Sequence, residues 1–193
     1  KIGDVQYRLY EQNKQSDKAD EANQYLREVI ANYEKAEEQA GIKTKEIETE
    51  PPDAITLRAV QKDIQHVRKK LGDLYLLRGE ESGKEWKNYE DTAEPFPDSI
   101  AQKQQLLEAA KRERETTKRF LQQANDLYDH LLTRRDLLDN ADFEDIIYNK
   151  TQSFYILREY PQALSAGDQL LNASRELSKE IRTKILYLLG NAA

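Results

Sequence analysis

Apolar side chains recur three and four residues apart through most of the chain, the period of amphipathic helices. Ile2, Val5 and Leu9 share one face of a first helix over residues 1–15. Ser16, Asp17 and Asp20 are N-cap candidates for the next, on which Ala22, Tyr25, Leu26, Val29, Ile30, Tyr33, Ala36 and Ala40 follow in register. Gly41 reads as its C-cap, and the polar, proline-ended run 42–52 as a loop. Asp53 then caps a helix whose Leu57, Val60, Ile64, Val67, Leu71 and Leu74 form a heptad-like seam, suited to one neighbour at a shallow angle. Arg78 and Gly79 are expected to close it.

Residues 80–97 read as an insertion that admits a short helix, ended by Pro95 and Pro97. Ser99 and Gln102 form a capping box for a stretch reaching Leu138. Residues 111–119 of that stretch hold no large apolar side chain, so it is one long helix or a broken one. With neither glycine nor proline inside it, one helix is favoured. A turn at 136–140 leads to a helix lined by Phe143, Ile146, Ile147 and Phe154. Pro161 suits the first turn of the helix after it, and Ile181, Ile185, Leu188 and Leu189 mark another. The expectation is all-α, seven or eight antiparallel helices, with a right-handed α-solenoid favoured over a closed bundle.

Three segments repeat one step: Ile2-Gly3-Asp4-Val5, Leu71-Gly72-Asp73-Leu74 and Leu189-Gly190-Asn191-Ala192. A helical glycine costs about 1 kcal/mol against alanine, so its recurrence predicts a recurrent close approach of helices. Copies at both ends predict a single region over 1–193 cut from a longer array.

The run from Ile147 to Leu171 resembles a tetratricopeptide repeat, with Phe154, Tyr160 and Ala163 at the family's aromatic and small positions. Leu71-Gly72-x-x-Tyr75 fits the family's first-helix pattern, and Thr151 stands at the equivalent small site. Gly167 stands where the family prefers a bulky aromatic. The spacing from Gly3 to Gly72 is 69 residues and from Thr151 to Gly190 is 39, against a family repeat of about 34. The resemblance implies a scaffold whose first helices line a groove, placing Lys69, Asp73, Tyr148, Gln152, Tyr155 and Tyr187 as partner-binding positions. Chaperone-binding members hold a terminal carboxylate with a Lys and an Asn one turn apart. Lys69 with Asp73, and Tyr148 with Gln152, occupy those places, so that clamp is not expected.

Composition narrows the function. The net charge of −6 gives no basic footprint for nucleic acid, and Lys111 to Arg119 interleaves both signs. No apolar run approaches the roughly 18 residues a membrane span needs. Cysteine is absent, which removes thiolate chemistry and disulfides. His66 and His130 lie outside any zinc-protease spacing. Asp136, Asp139, Asp142, Glu144 and Asp145 crowd one helix junction without the glycine turn of a calcium loop, and read as capping residues. The triplets at Asn149 and Asn172 fall on helices and are not read as glycosylated. Trp86, Tyr89 and Phe96 are either a docking surface or a local core, the latter favoured. No catalytic, cofactor or metal site is expected. The function expected is a non-enzymatic scaffold for a partner protein or peptide. The alternative is a spacer or oligomerisation arm of a larger assembly, such as a bacterial envelope complex, self-associating through the Leu57–Leu74 seam.

Overall fold

The computed structural model describes residues 2–15, 19–49, 52–98, 100–173 and 179–192. Among them are seven α-helices and no strand: α1 (Ile2–Gln15), α2 (Ala19–Thr49), α3 (Ala54–Ala93), α4 (Ala101–Leu132), α5 (Asn140–Ile156), α6 (Tyr160–Ala173) and α7 (Lys179–Ala192). A 3-10 turn at Arg135–Leu137 joins α4 to α5. Ser16, Asp17 and Ser99, named above as capping residues, lie outside the described residues, as does the side chain of Asp20.

Two expected helix ends are corrected. Gly41 does not cap α2, which continues to Thr49, so 42–49 is helix rather than loop. The cost of one glycine is small beside the support that follows it. The Lys43–Glu46 ion pair spans 2.9 Å, and Thr44 Oγ1 donates to the Ala40 carbonyl at 2.8 Å. Gly79 does not close α3 either, and the expected insertion at 80–97 is helical as far as Ala93. Asp53 caps α3, its carboxylate accepting from the backbone N–H groups of Ile55 and Thr56 at 3.0 and 3.1 Å. The other end falls just before Pro95.

The reason α3 runs on lies in α4. Gly72 faces Tyr128, Gly79 faces Leu121, Gly83 faces Thr117, and Arg114 lies over the Trp86 ring. Each step up α3 is matched by the same step down α4, so the two are antiparallel and in continuous register. A Cβ on Gly72 would meet Tyr128 Cε1 at 2.8 Å, and one on Gly79 would clash harder with Leu121. The run 111–119 lacks large apolar residues because this part of the interface is made of small groups. Ser82 and Thr117 are both fully buried there. The stretch expected from 99 to 138 is therefore a single helix over 101–132 followed by the 3-10 turn.

The glycine steps do not share one role. Gly72 holds the close approach expected of it, whereas Gly190 has nothing within 4 Å of a Cβ. The Gly3 surroundings lie outside the described side chains. Gly167, at the position the family fills with an aromatic, is occupied from outside: Leu189 of α7 packs onto it.

Pairwise order defines the layout. Residues of α2 meet α3 in antiparallel order, Asn23 near Arg78 and Glu37 near Arg68. By contrast, α3 and α5 run parallel, Asp73 meeting Asn149 and Glu80 meeting Gln152 further along both. Tyr10 of α1 donates to Glu81 of α3, and Lys184 of α7 lies over the Tyr148 ring of α5. The core joins Leu26 and Val29 of α2, Leu71 and Leu74 of α3, Leu121 and Tyr128 of α4, and Ile146 of α5. Burying a side chain of this size contributes about 1.5–3 kcal/mol. A smaller cluster of Ile147, Ile181 and Ile185 holds α7 against α5. Ile64, Leu71 and Leu74 are buried within the chain, so the expected seam is largely covered by its own neighbours.

Candidate functional site

Two clefts open along α3 and α5. The first, about 660 Å³, reaches across α1, α2, α3 and α5, with Tyr7, Arg8, Tyr33, Asp73 and Asn149 on its walls. The second, about 650 Å³, lies between α3, α5, the start of α6 and α7, with Lys84, Lys87, Tyr155, Tyr160 and Leu188 around it. Glu80 and Gln152 line both. The Gln152 amide donates to Glu80 Oε1, so a polar pair forms the waist between the clefts.

A partly buried hydrogen-bond network borders the first cleft. The Tyr128 hydroxyl donates to Asp73 Oδ1 at 2.9 Å, and the Asn149 amide donates to the same oxygen at 3.0 Å. Burial, then the Asp73 charge, pushes the Tyr128 hydroxyl well above its ordinary pKa, so it stays a donor. The Asn149 triplet is thus a packed element: Asn149 is bonded within the fold and Thr151 is fully buried.

Lys69 stands beside the cleft and not in it. Its ammonium lies 3.3 Å from Asp73 and 3.5 Å from both Asp142 and Asp145. Burial lowers its pKa, but Asp73, Asp145 and Asp142 together outweigh burial and the net shift is upward. The acidic junction thus serves to hold the start of α5 to α3. Asp139 caps α5 there, accepting from the Asp142 N–H at 2.8 Å. Among the described residues, no group of three or more His, Cys, Asp or Glu side chains is placed to hold a metal ion. No described helix is long and apolar enough to cross a membrane.

Of the six expected groove positions, Asp73, Gln152 and Tyr155 line the clefts. Lys69 is held by its carboxylates. Tyr148 is half-buried against the small cluster of α5 and α7. Tyr187 is 72% exposed on α7, away from both clefts. Sequence reasoning missed Glu80, Lys84 and Lys87 because it took 80–97 for an insertion. The signal was present: Gly79, Ser82, Gly83 and Trp86 recur at helical spacing, and small residues mark a helix face as surely as large ones when the partner is close. Trp86 itself is 4% exposed, its indole N–H donating to Glu90 at 2.6 Å and its ring in contact with the guanidinium groups of Arg114 and Arg158.

These features define an all-α chain with two adjoining clefts of mixed polar, aromatic and aliphatic lining. Compared with protein-family models, curated proteins and solved structures, it matches none.

Proposed function

We propose that this chain is a non-enzymatic, tetratricopeptide-like scaffold that binds an extended segment of a partner protein along the two clefts that open beside α3 and α5. The observation that carries the reading is the pair of similar-sized clefts sharing Glu80 and Gln152. Two adjoining clefts with the Glu80–Gln152 pair between them and tyrosines along their walls suit an extended backbone, which needs donors and acceptors along its length. Parallel α3 and α5, with α4 packed antiparallel on α3, support a solenoid layout in which first helices share a face. On this reading α3 and α4, at 40 and 32 residues, are lengthened members of one pair.

Selection of a displayed random dodecapeptide library on the purified chain tests the proposal. Enriched peptides are expected to bind the parent chain and to weaken about tenfold, roughly 1.4 kcal/mol, against Gln152→Ala plus Tyr155→Ala. Binding indifferent to that double substitution contradicts it.

A second reading, an oligomerisation arm, draws on α7, where Leu186 and Tyr187 are 54% and 72% exposed side by side. Sedimentation at several concentrations separates the two. Self-association abolished by Leu186→Lys favours the arm, and a monomer at every concentration removes it.

A further inference from the structure

Glu80 stands where the clefts meet, and one of its carboxylate oxygens is engaged: Oε1 accepts from Gln152, while no described donor reaches Oε2. Lys84 and Lys14 attract the carboxylate, yet burial outweighs them and raises its pKa. One and two turns further along α3, Lys84 and Lys87 line the second cleft and have no ion pair among the described residues. The groove therefore presents a carboxylate with one open oxygen, followed one and two turns on by two lysines that form no ion pair among the described residues. The first cleft does not favour a polyanion, because Glu11, Asp73 and Glu80 there stand against Arg8 and Lys70.

We propose that the occupant is an extended peptide segment that sets a lysine or arginine on Glu80 and an aspartate or glutamate, two residues away, on Lys84. This rests on the groove reading above. Four residues of helix rise about 6 Å, and same-face side chains of an extended segment repeat every 6.6 Å or so, so the spacing matches without distortion. The basic side chain meets Oε2 and completes the pairing that Gln152 leaves unfinished, and Lys87 extends the field that receives the acid.

The peptides enriched by selection supply the probe, labelled with fluorescein and titrated by anisotropy. The enriched set is expected to carry Lys or Arg with Asp or Glu two positions away. Glu80→Gln, which keeps the shape and the Gln152 hydrogen bond, is expected to weaken binding about tenfold. Lys84→Glu is expected to weaken the same peptide and to be restored by a version whose acidic residue is changed to lysine. Peptides weakened by Gln152→Ala plus Tyr155→Ala that lack the charge pair, or that ignore Glu80→Gln and Lys84→Glu, overturn this inference and leave the groove reading standing. Peptides indifferent to all four substitutions, or no enrichment, overturn both.

Discussion

Tyr128 ties three helices through one hydroxyl, donating to Asp73 of α3 while Asn149 of α5 reaches both. Tyr128→Phe leaves a partly buried carboxylate short of a donor, and should cost about 1–3 kcal/mol. In urea the midpoint should fall with the slope unchanged, whereas an unaltered midpoint would show that the network contributes nothing. Glu80 acts in the opposite sense. Its raised pKa means that the folded chain binds the proton more tightly than the unfolded one. Relative to a neutral side chain, its contribution is most favourable below the ordinary carboxyl pKa and is lost as pH rises through the folded value. Glu80→Gln should therefore stabilise the chain at neutral pH, by an amount that shrinks as pH falls through that value. Chemical denaturation at a series of pH values reads this, and a gain that grows towards acid would contradict the assignment. Neither role could be read from the sequence. Asp73 was expected at a groove position, but its bonds to Tyr128 and Asn149 join residues 55 and 76 positions away, which no local pattern encodes.

At the scale of the element, glycine carried two meanings that spacing alone could not separate. Gly41 lies inside α2 with nothing within 4 Å of a Cβ, so Gly41→Ala should stabilise by about 0.5–1 kcal/mol through helix propensity. Gly79 lies under Leu121, and Gly79→Ala should cost about 1–3 kcal/mol by forcing α4 away. Thermal melts of the pair should move in opposite directions. Movement in the same direction would mean that α3 and α4 do not approach as described. Sequence reasoning gave each of these glycines to a helix end, because glycine is the commonest C-cap. What decided otherwise was downstream: α2 meets no breaker before Pro51, and α3 meets none before Pro95. The helices around Asp53, Pro161 and Ile181 were legible because their caps and apolar stripes are local. The length of α3 was not, since its second half is held by small residues whose partners lie on α4.

Over the whole molecule, one pairing rule accounts for the groove. Packing α3 on α4 through glycines brings the two helices close, and the Asp73, Lys69 and Glu80 contacts set α5 parallel to α3 while Ser153 and Lys150 also hold it to α4. The space between them is left as clefts whose walls mix polar side chains with Leu74, Leu76, Leu77 and Ile156. The all-α class followed from periodicity. The position of the waist did not, because it depends on the continuation of α3 past Gly79. The central claim is that an extended segment lies across that waist. Amide hydrogen exchange of the chain with and without a selected dodecapeptide tests it most directly. Added protection should fall on α3 around Asp73 to Lys87 and on α5 around Asn149 to Ile156, with α7 beyond Leu188 and the α2–α3 tip unchanged. Protection confined to Leu186 and Tyr187, or to the tip, would contradict the account.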